Sequence, residues 1–276
     1  MTDFQEKRRF YEGILNPREF AQNYVLRCYE PSEAMQPFVE HYFISRRRDQ
    51  FDPAYVGYDV LSQPVVSLFI QPSGAFFQGP TSGRRTLRAK DSPIYVGAQF
   101  KPGGFYPFWR KKIAELAEKT IPADRVIPRA RTVFGRSFLL QADMAILNTL
   151  DEALRAEQPK RLPGIGLVNQ VIQYIESNSA AASVASVASH FGISARTLQH
   201  HFQTIVGVGV KWTIMRARFL EITKYARSQE KPDWVTIAVK AGYSDQSHFI
   251  NDFKTIVRVS PSQYTKMLKA DTRRAG

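Results

Sequence analysis

Two clusters of side chains offer the clearest chemistry in this chain. The first is Arg196, Gln199, His200 and Gln203, spaced i, i+3, i+4 and i+7; the second is Gln246, Ser247, His248 and Asn251. Arginine donates two N–H groups to the O6/N7 edge of guanine, and glutamine or asparagine pairs with the N6/N7 edge of adenine. Helical spacing places the first cluster on one face of a helix, and the second is what a helix would present if Phe249 and Phe253 were buried. The implied chemistry is hydrogen bonding to base edges in a major groove. A solvated polar face has the same composition, so the clusters mean DNA only with the right scaffold and a basic context.

The context is basic. The chain has 276 residues, with 38 Lys+Arg against 25 Asp+Glu and a net charge of +13. Residues 165–276 hold 14 Lys+Arg against 7 Asp+Glu, so the excess is denser there. Such a charge attracts polyanions, nucleic acid first and an anionic membrane surface second.

Other chemistries are poorly supplied. The five histidines are His41, His190, His200, His201 and His248, and only His41 lies in the first half. One histidine cannot provide the cluster that a cupin-type metal enzyme needs. Lys101-Pro102-Gly103-Gly104-Phe105 lacks the GxxxxGK[ST] spacing of a phosphate loop. No catalytic residues, metal or cofactor are expected, and the chain does not read as an enzyme. The single cysteine, Cys28, cannot form an intramolecular disulfide. The first residues, MTDFQEKRRFYEG, lack the apolar stretch of a secretory signal, and no run is long and apolar enough for a membrane span. A cytoplasmic protein with no membrane partner is expected.

The elements that would position the clusters repeat. Residues 184–207, VASVASHFGISARTLQHHFQTIVG, match residues 234–258, WVTIAVKAGYSDQSHFINDFKTIVR. Ala188 corresponds to Ala238 and Gly192 to Gly242; Leu198, Phe202 and Ile205 correspond to Phe249, Phe253 and Ile256, one residue further on. Each copy reads as a short amphipathic helix, a glycine turn and a second helix, the helix-turn-helix geometry. Gly192 suits a tight reversal, Ser194 and Asp245 are predicted caps, and Ile193 with Leu198 a hydrophobic staple. Asp252 would repel phosphate beside the second cluster. Between the copies, Trp212, Met215, Phe219, Ile222 and Ala226 form a predicted stripe on a helix that holds the units rigidly apart. His200 is expected to face DNA, and His201 solvent or a neighbouring helix.

The first half reads differently. Val65–Ile70 and Ile94–Phe100 are β-branched and aromatic runs, hence strands. Leu139, Ala142, Ile146, Leu150 and Leu154 have helical spacing, and EQPKRLPGIG (157–166) is linker chemistry. The aromatics Phe69, Phe76, Tyr95, Phe105 and Trp109 are expected in packed core rather than around a pocket. The expected division is an N-terminal extension (1–25), a β-rich regulatory domain (26–127), connector helices (128–158), a linker (159–166), a double helix-turn-helix domain (167–268) and a basic tail (269–276). The fold class is α+β, multidomain.

These residues resemble the AraC/XylS family of bacterial transcription regulators. FGISARTLQHHF (191–202), RARFLEITKYA (216–226) and IAVKAGYSDQSHFINDFK…VSPSQY (237–264) carry the resemblance. It implies two helix-turn-helix subdomains joined by a long helix, and base contacts from Arg196, Gln199 and His200, then Gln246, Ser247 and Asn251. PSEAMQPFVEHYFISR (31–46), VLSQPVVSLFI (60–70) and YVGAQFKPGGFYPFW (95–109) are similar to a cupin-like sensor domain. That implies a small-molecule effector or a second copy as partner, and the family reading adds RNA polymerase to double-stranded DNA. Two positions depart from the pattern. The family usually has glycine where Arg258 stands, so a left-handed backbone there would be strained and the charge would lie near phosphate. Gly207-Val208-Gly209-Val210 lacks a proline often found there. The expected function is a sequence-specific DNA-binding regulator; a module that binds nucleic acid or protein without sequence preference stays open, as does, further off, a cupin-type enzyme fused to a DNA-binding domain.

Overall fold

The computed structural model describes residues 3–4, 13–88 and 92–274. Much of the expected extension (1–2 and 5–12) and the end of the basic tail (275–276) therefore lie outside the described residues. Seven strands form one antiparallel sheet, in the order β1 (Asp3–Phe4), β2 (Tyr24–Tyr29), β3 (Val39–Arg47), β8 (Ile94–Phe100), β5 (Ser67–Gln71), β6 (Gly74–Gln78) and β9 (Thr120–Pro122). The strands β4 (Gly57–Leu61) and β7 (Arg84–Arg88) pair separately as a two-stranded ribbon. The first predicted strand begins later than expected, at Ser67, although the Val66 carbonyl still accepts from Phe100 N at 3.1 Å.

Alternation divides the sheet into two faces. Tyr42, Ile44, Leu68, Ile70, Val96 and Ala98 pack with Ile146, Leu147, Leu150 and Leu154. Those last four lie on the helix α2 (Asp143–Arg155); the short helix α1 (Pro17–Asn23) comes directly before β2. Leu139 precedes α2 in a 3-10 turn, and Ala142 is exposed at its N-cap, so the helical face begins later than its spacing predicts. The opposite face of the sheet carries Phe43, Phe69 and Tyr95 toward the ribbon. Phe105 and Tyr95 are packed core as expected, and Phe69 is half-buried against the core that holds Tyr95; Phe69 and Tyr95 also line a cavity.

The second half is helical: α3 (Ile165–Ser177), α4 (Val184–His190), α5 (Ala195–His201), α6 (Val210–Arg227), α7 (Trp234–Lys240), α8 (Gln246–Val257) and α9 (Pro261–Arg274). A π-helical turn, Phe202–Val206, extends α5. Two cores result. Val168, Val171, Ile172, Ile175, Leu198, Phe202 and Ile205 build one, and Phe249, Phe253, Ile256 and Tyr264 build the other. Helix α6 enters both, giving Val210, Ile214 and Ala217 to the first and Phe219, Ile222 and Ala226 to the second.

The predicted stripe on α6 needs correction. Trp212 and Met215 are only half-buried, while Thr213, Arg216 and Thr223 are buried. The cause is tertiary: the first half of the chain covers α6. Arg216 Nε donates to Ser62 O at 2.7 Å and Arg227 Nη1 to Ile14 O at 2.7 Å. Leu15 and Leu61 join the second helical core, and α1 packs against α9. The described part of the expected extension is thus a packed element, with Ile14, Leu15 and Phe20 fully buried.

Candidate nucleic-acid interface

In the first repeat Gly192 takes φ 62 and reverses the chain between α4 and α5. Ser183 and Ser186 form a reciprocal capping box at α4, and Ser194 Oγ accepts from Thr197 N at 3.0 Å to start α5. Leu198, Phe202 and Ile205 point into the core. Their burial turns Arg196, Gln199 and His200 outward, all exposed. Gln203 is half-buried, because it lies on the π-turn rather than on α5. His201 is half-buried beside Gly164, on another face from His200.

The second repeat is built alike. Asp233 caps α7, Gly242 takes φ 83, and Asp245 accepts from Ser247 N at 2.9 Å and His248 N at 3.2 Å. The one-residue offset between the copies falls in the turn: two positions separate Gly192 from its cap Ser194, three separate Gly242 from Asp245. Gln246, Ser247, His248 and Asn251 are all exposed on α8. Asp252 is half-buried, accepts from Tyr243 OH at 2.9 Å and pairs with His248 Nε2 at 3.3 Å. Burial first, then the bond to Asp252, pushes the Tyr243 phenol up to about 12. The acid expected to repel phosphate is therefore tied back to the turn.

Residues 187–267 match a family described as a helix-turn-helix domain, and residues 27–122 match a domain of unknown function (DUF6597). Over 99 residues the chain is 29% identical to the HTH-type transcriptional activator AarP of Providencia stuartii, covering 36% of this chain and 73% of that protein. The chain carries an AraC-type helix-turn-helix domain. It is a DNA-binding transcription regulator. The C-terminal domain of AraT, a response regulator from Geobacillus stearothermophilus, aligns with 27% identity over 38% of this chain and 85% of that one, at a TM-score of 0.34. ToxT from Vibrio cholerae aligns with 14% identity over 89% of this chain and 98% of that one, at a TM-score of 0.39.

Several residues of the AraC-type domain have roles that spacing did not reveal. The basic run of α6 looks ready for phosphate, but three of its arginines brace the fold. Arg216 and Arg227 bond to the first half, and Arg218 donates to the carbonyls of Ser179, Ala180 and Ala182. Arg258 does adopt a left-handed backbone, φ 64, at the end of α8. The side chain is exposed and Nη2 donates to Ser82 O at 3.0 Å. The corresponding residue of the first repeat is Gly207, φ 91, packed against Pro80 and Ile113. Both second helices thus end in a left-handed residue that touches the loop 79–83 or its neighbour. Only the cue at Arg258, a large residue where the family has glycine, was legible in advance.

Among the described residues no group of three or more His, Cys, Asp or Glu side chains is placed to hold a metal ion, and no helix is long and apolar enough to cross a membrane.

Proposed function

We propose that this regulator reads DNA sequence by seating α5 and α8 in successive major grooves. The observation that carries the reading is the shared helix. Helix α6 has 18 residues, about 27 Å at 1.5 Å per residue, and is core to both units. Successive major-groove faces lie about 34 Å apart, so one rigid body of this size suits two grooves on one side of a duplex. Arg196, Gln199 and His200 on α5 and Gln246, Ser247 and Asn251 on α8 are the proposed base-reading set. Gln203 and His248 are placed at its edges, since one lies on the π-turn and the other turns to Asp252.

The reading takes residues 167–268 as the DNA-binding unit and 26–158 as the part that regulates it, with no catalytic step assigned to the chain. Hydroxyl-radical footprinting tests it. Two protected patches about one helical turn apart on one face of the duplex support the two-groove reading. A single patch, or protection spread evenly over the duplex, contradicts it.

A further inference from the structure

Three successive cations, Arg110-Lys111-Lys112, follow the helical turn Tyr106–Trp109 in the first half of the chain, and all three are exposed. The next residue, Ile113, is buried against Gly207, where the π-turn after α5 ends. Before the run, Tyr106 packs against both the sheet core and the first helical core. The run is therefore held at both ends against the first helix-turn-helix unit. A second pair, Lys160 and Arg161, is exposed just before Leu162, which packs on the same helical core. Two residues further on, a Cβ at Gly164 would come within 3.1 Å of Ile205 and 3.5 Å of His201. The two cationic segments are neighbours: burial holds the Glu157 carboxyl above its ordinary pKa, and Arg129 and Arg110 are the cations that oppose it. The side chains of Lys112, Lys160 and Arg161 have no ion pair or hydrogen bond among the described residues.

These cations border the face that carries Gln199. A Cβ at Gly209, the N-cap of α6, would lie 3.4 Å from Gln199 Nε2. From Gln199 the surface runs to Gly209 and the exposed Lys211, then to Gly207, Ile113 and Lys112. A major groove is about 12 Å wide and has a phosphate backbone along each side. With α5 in the groove, the backbone beyond the turn from α5 to α6 meets this border. Arg110 takes a left-handed backbone, φ 57, with its N–H donating to Tyr106 O at 2.8 Å. That bend ends the helical turn and leaves Lys111 and Lys112 in solvent. Like charges held together repel one another, and a polyanion relieves that repulsion.

We propose that Arg110, Lys111, Lys112, Lys160 and Arg161 form a third DNA contact, a clamp on the phosphate backbone that flanks the α5 groove. The first half of the chain and the linker supply it, and it rests on the reading of α5 as a groove helix. Contacts to phosphate fix register and orientation and carry no sequence information. Lysine suits that task, as a compact charge on a flexible stem. A membrane surface is the less favoured occupant. Among the described residues no large exposed apolar side chain lies in either segment, so the patch lacks the apolar anchor of a membrane-binding surface.

The test titrates the full chain and a Lys111→Gln, Lys112→Gln double variant over a range of KCl. The probes are a duplex recovered by selection and random duplexes of equal length, each extending beyond the protected patches. Each phosphate contact adds about 0.9 to the salt slope, so the double variant should lose nearly two from it and bind roughly 10-fold more weakly. Its base preference should match that of the parent. Hydroxyl-radical footprinting should show the backbone beyond the α5 patch protected by the parent and not by the variant, which a loss of net charge alone would not produce. A Lys160→Gln, Arg161→Gln variant repeats the test from the linker, should the first variant fail to fold. An unchanged salt slope in both variants overturns the clamp. So does a flank that the parent leaves unprotected, or that parent and variants protect equally. Lost binding to phosphatidylserine vesicles with DNA binding intact also overturns it, in favour of a membrane. Failure of the groove reading shows separately, as a parent with no preferred duplex.

Discussion

Arg258 and Ser82 join the end of α8 to the loop after β6, through Nη2 donating to the Ser82 carbonyl at 3.0 Å. The guanidinium rests where Gly83, at φ 110, leaves room: a Cβ there would come within 2.6 Å of Arg258 Nε. Two opposed effects meet at Arg258. Its left-handed backbone costs about 1–2 kcal/mol, and an exposed charge-assisted bond returns an amount of similar size. Arg258→Gly should therefore change overall stability by less than about 1 kcal/mol while loosening the loop. Hydrogen exchange at 79–83 should rise in the variant; unchanged exchange would show that the bond does not hold the loop.

Arg196→Ala and Gln199→Ala address the base-reading set. Each should relax preference at one base pair by roughly 1–3 kcal/mol while leaving affinity for random duplex nearly intact. Titration against a set of single-base-substituted duplexes reads this directly. An equal loss on every duplex would instead assign these side chains to phosphate.

Phe253 is fully buried, with ring contacts to Phe219, Trp234, Phe249 and Tyr264. Phe253→Ala should cost about 3–5 kcal/mol. Because Leu15 and Leu61 share that core, the loss should also be felt in β4. Denaturation followed by hydrogen exchange at 57–61 checks both points. A destabilised second repeat with unchanged protection at 57–61 would mean that the two halves melt independently.

Acid sensitivity should centre on Asp143, at the start of α2. It accepts from Arg46 Nη2 at 2.9 Å, Tyr29 OH at 3.0 Å and Arg27 Nη1 at 3.1 Å. Burial raises its pKa, but the bonds from Arg46 and Tyr29 outweigh that, and the net position is below the ordinary 3.8. A depressed folded-state pKa contributes stability above the unfolded-state value and loses it as pH falls through the folded one. Asp143→Asn should therefore have a lower Tm than the parent near neutral pH, and the gap should close below pH 3.8. A gap independent of pH would remove the ionised carboxylate from the explanation.

How far the sequence could be read follows from what each feature depends on. The repeats were legible because their signals are local: Gly192 and Gly242 for the turns, Ser194 and Asp245 for the caps, and Leu198, Phe202, Phe249 and Phe253 for the buried faces. The predicted base-reading face followed from those, since burying one side of a helix exposes the other. The connector began later than its spacing suggested because Leu139 reaches the core from a 3-10 turn rather than from α2. What stayed hidden depends on partners far along the chain. Arg216 is buried only because Ser62, 154 residues away, receives its Nε–H. Ile14 and Leu15 looked like an appendage because no helical or strand period marks them, although β4 and α6 close over them. Tyr95 and Phe69 pack into the core under the β4–β7 ribbon as expected, but that they also line a cavity there depends on the ribbon pairing apart from the main sheet.

Selection of bound duplexes from a random DNA library by the full-length protein, at near-physiological salt, tests the central claim most directly. The account predicts recovery of two short elements whose centres lie about 10–11 base pairs apart, with Arg196→Ala and Gln199→Ala degrading one and Asn251→Ala the other. Recovery of no preferred sequence, with binding abolished equally by any random competitor, would contradict it and leave the basic surface as a general polyanion binder.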